Sequence, residues 1–308
     1  MDHVPVMVRE VTRYLLHERS RLVLDGTLGC GGHSQAILAA NPGVSIIGVD
    51  PDGQALRCAE QTLEMYGDRV RFVRGSYADL SSAVAPGEKL DGALLDLGVS
   101  SLQIDEPARG FSYLNDGPLD MRMSASGPTA AEFIDTTSET ELFRMLKHFG
   151  EVTRPGRIAR SIKNASAEGR LSTTGELKQA VNDALRGNAA PALLSKVFQA
   201  IRIALNGELE NIKRFTESIL DHTNADARLV FISYHSLEDS LVKEFLRREG
   251  SGCLCPASTP VCVCGHEPSV DVLTRRVVKP SPGEISSNPR ARSAKLRAAR
   301  VLKIGGSP

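Results

Sequence analysis

Four short apolar runs in the first hundred residues constrain the fold of this chain more than any other feature. "RLVLD" ends at Asp25, "VSIIGVD" at Asp50, "VRFVRGS" at Ser76 and "LDGALLDLG" at Gly98. Each is short and apolar on both faces, as parallel strands covered by helices on either side must be. Helical stretches separate the first three. The expected class is α/β, a doubly wound, Rossmann-like sheet.

After Ser101 the pattern changes. "QIDEPARGFSYLNDGPLDMRM" is rich in turn formers, and from Thr129 to about Leu220 the chain reads as helices alone. Gly150, Gly169 and Gly187 supply stops, while Thr173 or Thr174 with Glu176, and Pro191, supply starts. Strand character returns at Leu229 to Ser233 in "ARLVFISYHS", followed by the helical "LEDSLVKEFLRRE". A lone strand within a helical domain leaves its backbone groups without partners, so this one is expected to rejoin the first sheet. The helical block then becomes an insertion. The expected division is a first part over 1–104, an inserted helical substrate-recognition domain over 105–215 and a second part over 216–308.

The stretch "LVLDGTLGCGGHS" sets Gly26, Gly29, Gly31 and Gly32 directly after the first strand, with His33 or Ser34 opening the next helix. In a parallel sheet the ligand lies beyond the carboxyl ends of the strands, where glycines let backbone approach it and a helix N-terminus points at it. A dinucleotide fingerprint needs a glycine at its sixth position, and counting from Gly29 that position is Ser34. Asp25, just before the loop, is awkward beside a pyrophosphate. It suits an ammonium group, such as that on the methionyl end of S-adenosylmethionine. Asp50 ends the second strand, where a carboxylate accepts from ribose hydroxyls, and Asp96 ends the fourth. Together these features favour a methyltransferase over a dehydrogenase. Each residue also has a plainer reading. A strand-end aspartate often only caps the following turn, Tyr77 packs at a strand end or lays its ring against an adenine, and a histidine at a helix start is often a cap.

At "LLDLGVSSLQID" the chain meets a known pattern. With "DGTLGCGGHS", "RGFSY", "PLDMRM", "FQAIRIALNGEL", "SYHSLED" and "NPRARSAKLRAAR", it resembles the bacterial 16S rRNA cytosine-N(4) methyltransferases, the RsmH/MraW family, over nearly its whole length. The resemblance implies a Rossmann-like methyltransferase domain with a helical domain inserted. It also implies S-adenosylmethionine as methyl donor and a decoding-centre cytosine of small-subunit rRNA as acceptor. Cofactor contacts then fall on Gly31, Gly32, His33, Asp50, Tyr77, Asp96 and Gln103.

A cytosine exocyclic nitrogen is a poor nucleophile because its lone pair is delocalised into the ring. An enzyme must hold it in line, accept hydrogen bonds that localise the lone pair, and receive a proton. Asp96 accepts from the amine or orients the cofactor; Ser100 and Ser101 offer hydroxyl acceptors. His235 passes a proton, contacts phosphate or is a structural histidine. The chain lacks the "(D/N/S)PP(Y/F)" loop of many amino-methyltransferases, which leaves Phe111, Tyr113 and Tyr234 as candidates for stacking on the base.

The formal net charge is zero, which argues against binding nucleic acid through bulk charge. Yet Arg275, Arg276, Lys279, Arg290, Arg292, Lys295, Arg297, Arg300 and Lys303 face a single acid, Glu284, in the C-terminal stretch. Phosphate contact and a solvated basic tail are both open readings. No metal is assigned to the catalytic cleft. Cys253, Cys255, Cys262 and Cys264 form two C-x-C pairs, tighter than the usual zinc spacing, and read either as a zinc-binding cluster or as reduced thiols in a hairpin. Cys30 and Cys58 stand alone, and amine methylation needs no cysteine nucleophile. With an early acid, no long apolar run at the N-terminus and no membrane-length apolar segment, the chain reads as cytoplasmic. Two rival functions remain: a non-catalytic RNA-binding protein with a retained cofactor pocket, and an amino-methyltransferase acting on DNA.

Overall fold

The computed structural model describes residues 5–256, 259 and 261–302. Seven strands form one sheet: β1 (Leu22–Asp25), β2 (Ser45–Asp50), β3 (Val70–Arg74), β4 (Leu90–Asp96), β5 (Thr223–Ser233), β6 (Val270–Val272) and β7 (Lys295–Val301). Their order is β3-β2-β1-β4-β5-β7-β6. The first five run parallel, whereas β7 is antiparallel to both β5 and β6. The returning strand therefore joins the first sheet, beside β4. β3 departs from the two-faced apolar pattern because it is an edge strand: Arg71 and Arg74 are exposed there.

The sheet's helices are α1 (Val8–Leu15), α2 (Gly32–Ala40), α3 (Gly53–Leu63) and the single turn α4 (Leu80–Ala83). The helical block supplies α5 (Ser101–Asp105), α6 (Ala130–Thr136), α7 (Glu139–His148), α8 (Pro155–Ala167), α9 (Thr174–Leu185) and α10 (Pro191–Asn206). Then come α11 (Glu208–Ser218), α12 (Ser236–Glu249) and α13 (Pro282–Ser287). Among the described residues no helix is long and apolar enough to cross a membrane.

The chain divides into two compact units, Met1–Gly98 with Leu209–Pro308, and Val99–Glu208. The insertion thus ends earlier than the sequence suggests. The reason is α11, whose Ile212 and Phe215 are wholly buried among Leu24, Leu95, Leu229 and Phe231 of the sheet. The sheet's other face packs Val23, Ile46, Leu94, Val230 and Leu296 against Ile37, Leu38, Ala59 and Leu63 of α2 and α3. The helical unit has a core of its own, with Ile134, Leu142, Leu146, Ile158, Ile162, Leu177, Val181, Val197 and Ile201 buried together. Serine or threonine capping boxes start α5, α6, α7 and α9, closing otherwise unpaired amides.

The C-terminal basic stretch is no solvated tail. It contains α13 and β7, and Glu284 of α13 accepts the Met7 N–H at 2.6 Å. Arg297 donates to both oxygens of Asp239, through Nε at 2.7 Å and Nη2 at 3.2 Å. Lys295 lies 3.7 Å from the same carboxylate, and Arg300 pairs with Asp271 and Asp226. Arg275, Arg276, Lys279, Arg290 and Arg292 are exposed. Lys303 lies outside the described residues.

Candidate active site

β1 has β2 on one side and β4 on the other, so strand order reverses between β1 and β4. Loops leave the sheet in opposite directions at such a point, and a crevice opens beyond the strand ends. Asp25, Asp50 and Asp96 are the last residues of β1, β2 and β4. The glycine loop is stitched across these ends: Gly26 N–H donates to Leu94, Leu28 N–H to Val49, and Asp96 N–H to Thr27 Oγ1 at 2.7 Å.

Each acid has a distinct set of partners. Asp25 is buried and accepts from Ser34 Oγ at 2.7 Å and from Thr27 N–H at 3.3 Å. Burial raises its pKa, with His33 pulling the other way. Asp50 accepts Asp52 N–H on Oδ1 and Gly29 N–H on Oδ2, both at 2.8 Å, so it caps its own turn and tethers the loop. Burial outweighs these bonds and lifts its pKa to about 6. Asp96 accepts the Tyr234 hydroxyl on Oδ1 at 2.9 Å, while Oδ2 lies 3.7 Å from His33 Nδ1. Its pKa is also pushed to about 6, burial exceeding the opposing pull of His33 and Tyr234. Three carboxylates short of solvent favour a proton or a cationic ligand. A pyrophosphate would add to their charge; an ammonium or sulfonium offsets it.

His33 is a buried side chain whose orientation is fixed. Nε2 sits 2.8 Å from the Val6 carbonyl, which can only accept, so Nε2 carries the proton and Nδ1 faces Asp96. Tyr234 is held by its own backbone, since its N–H and that of His235 both donate to Glu238 Oε2, at 2.9 and 3.3 Å. Burial, reinforced by Asp96, raises the Tyr234 hydroxyl well above its ordinary pKa, keeping it a donor. His235 is the N-cap of α12, accepting Glu238 N–H on Nδ1 at 3.4 Å. Its Nε2 lies 3.1 Å from Glu238 Oε1 without the alignment of a hydrogen bond. The structure thus turns both ring nitrogens toward Glu238. Glu238 is the residue that sequence reasoning missed; the histidine-to-glutamate spacing of three in "HSLE" is a capping-box signal.

The loop is shaped for backbone approach. A Cβ on Gly26 would stand 2.5 Å from Leu95 and 2.9 Å from Tyr77 Cβ, so no larger residue fits there. Gly31, at φ 83°, is the N-cap of α2 and provides no side-chain cap, which leaves the first-turn amides for a ligand carboxylate. Tyr77 packs edge-on to Phe215 at 5.9 Å. Cys30 and Cys58, expected to stand alone, are joined in a disulfide that ties the loop to α3. These features fit a methionyl carboxylate at the helix start, a cationic centre near the acids, and ribose hydroxyls at Asp50.

In the helical unit, Ser100 caps α5 by accepting Gln103 N–H, and Gln103 Oε1 returns the bond to Ser100 N–H at 3.1 Å. Ser101 is the first residue of that helix. Tyr113 meets Phe198 edge-on and Phe111 lies under Arg109, both packed on the helical core.

Residues 1–302 match the family model described as the MraW methylase family. The ribosomal RNA small subunit methyltransferase H of Oleidesulfovibrio alaskensis is 45% identical over 309 residues, spanning 97% of this chain and 95% of that protein. The protein of the same name from Syntrophotalea carbinolica is 42% identical over 308 residues, 98% of each. With a match along nearly the whole sequence and relatives this similar over their full length, the chain belongs to the MraW methylase family.

Proposed function

We propose that this protein methylates the exocyclic amine, N(4), of a decoding-centre cytosine in 16S rRNA, acting on the small ribosomal subunit in the cytoplasm. Its methyl donor is S-adenosylmethionine, which supplies an electrophilic methyl group on a sulfonium when bound. The backbone at Gly31 and Gly32, with Asp50 and Tyr77, holds that donor. The relatives' names carry the choice of ribosomal RNA, and the resemblance carries the choice of cytosine.

The observation that carries the chemistry is Asp96 at the strand-order reversal, with one oxygen held by Tyr234 and the other 3.7 Å from His33 Nδ1. An ionised Asp96 accepts a hydrogen bond from the amine, which localises the nitrogen lone pair, and takes the proton as the nitrogen gains its substituent. Tyr234 prevents the carboxylate from rotating.

Two tests act on separate parts of this reading. Asp50→Ala should weaken cofactor binding by about 1.5–3 kcal/mol, the scale of hydrogen bonds to a charged group; unchanged calorimetric affinity in the folded variant removes Asp50 from the site. The pH profile tests Asp96, whose charged and titratable neighbours are His33, Tyr234, Asp25 and Glu238. Only the carboxylate accepts a proton, so single-turnover transfer should rise with pH through about 6 and level above it. Tyr234→Phe removes a bond that lowers the Asp96 pKa, so its profile should move to higher pH. A profile that stays in place argues against Asp96 as acceptor. The product is checked by nucleoside mass spectrometry of small-subunit rRNA from cells lacking the gene, before and after complementation. Methyl transfer to DNA in place of rRNA would favour the second reading.

A further inference from the structure

Between α12 and β6 the described residues form no helix or strand, and none of those from 251 to 269 is buried. The apolar side chains there point outward, with Val261 72% and Val263 81% exposed. A segment with no apolar core needs another kind of staple to hold one shape. What it does gather is sulfur. The Sγ atoms of Cys253, Cys255, Cys262 and Cys264 all lie within 4.8 Å of one another.

We propose that these four cysteines form a closed structural zinc site, each contributing one thiolate to a single Zn2+. A zinc–sulfur bond of about 2.3 Å sets the edges of a tetrahedral S4 site at about 3.8 Å. The observed separations are 3.4 Å for Cys253–Cys262, 3.6 Å for Cys262–Cys264 and 3.9 Å for Cys264–Cys253. The backbone is arranged for anionic sulfur. Leu254 N–H donates to Cys264 Sγ at 3.3 Å and Val263 N–H to Cys255 Sγ at 3.4 Å, so the middle residue of each pair serves the opposite pair. Cys255 N–H adds a third such bond, to Cys253 at 3.4 Å.

The donor set chooses the metal. Four thiolates in a tetrahedron select zinc or iron, and a site closed on all four sides suits zinc in a structural role. His266 is not among the residues whose ligand atoms gather there; its Nε2 sits 3.0 Å from the Arg248 carbonyl, pinning the base of the segment to α12. Nor are the thiols paired with each other: all four are free, whereas Cys30 and Cys58 are bonded. The short C-x-C spacing obscures the site in sequence, since neither pair alone suffices and the two must meet across the hairpin.

The experiment uses the full-length chain, expressed with zinc and purified under reducing, chelator-free conditions. Mass spectrometry of the metal content should find one zinc per chain. The variant carrying Cys262→Ser and Cys264→Ser should lose it, while Cys30→Ser should keep it. Exchange of cobalt into the wild-type protein should give the visible bands of a tetrahedral tetrathiolate centre, a readout that does not depend on any variant folding. A wild-type protein without zinc, zinc that survives the double substitution, or iron with labile sulfide in its place would each overturn the proposal.

Discussion

Asp96→Asn should slow single-turnover methyl transfer at saturating cofactor by about a hundredfold or more, as removal of a preorganised acceptor does, while leaving RNA affinity close to wild type. Asparagine keeps the shape of the side chain and an oxygen for the Tyr234 hydroxyl, so the fold is spared. It cannot take a proton. Asp96→Ala should be equally inactive and also less stable, because the buried Tyr234 hydroxyl would lose its partner, at a cost of about 1–3 kcal/mol. Comparing the two variants therefore separates chemistry from packing. A cytosine stacked in an RNA helix cannot enter such a crevice, so the target must be unstacked before transfer. Replacing the neighbouring base pairs of the substrate with mismatches should thus assist the wild-type enzyme and leave the Asn variant slow. Wild-type turnover by the folded Asn variant would sink the assignment.

The second large effect concerns stability. Arg297→Ala should cost about 1.5–3 kcal/mol in urea unfolding, since the half-buried Asp239 carboxylate would lose both guanidinium bonds and keep only Lys295, 3.7 Å away. The same substitution should leave the salt dependence of RNA binding unchanged. Neutralising the exposed Arg290 and Arg292 should do the reverse, reducing the slope of log affinity against log salt by about one unit for each lost phosphate contact. Pairing Arg297→Met with Asp239→Leu should recover much of the lost stability, because an ion pair this short of solvent is readily replaced by apolar packing. If Arg297→Ala alters the salt slope and not the urea midpoint, the basic stretch works in a different way.

The parallel strands were readable because burial on both faces leaves continuous apolar runs, as in Leu22–Asp25 and Ser45–Asp50. β7 was not, because "KLRAARV" interleaves small residues with cations that are neutralised by Asp239, Asp226 and Asp271, acids remote in sequence. α11 looked like its helical neighbours; only packing shows that Phe215 belongs with the sheet. Within the site, strand-end position was enough to single out Asp25, Asp50 and Asp96. The directions of side chains were not accessible in the same way. That His33 turns Nδ1 to Asp96 depends on the Val6 carbonyl, and that Tyr234 hydrogen-bonds Asp96 depends on Glu238. The disulfide between Cys30 and Cys58 depends on how α3 lies beside the loop, which no spacing rule contains.

The position of β7 between β5 and β6 bears on how the molecule is made. A ribosome delivers β1 to β5 first, and these can pair in parallel, but β6 pairs in the sheet through β7 and has no place in it until β7 arrives. Until then the outer edge of β5, apolar along Leu229–Ile232, is an open template for another chain. Synthesis that stalls or stops before Lys295 would leave a protein with its acids in place and an adhesive flank, a species for chaperones or proteases to remove. Completion of this sheet waits for β7, and the yield of folded protein should depend on how promptly that strand follows β6.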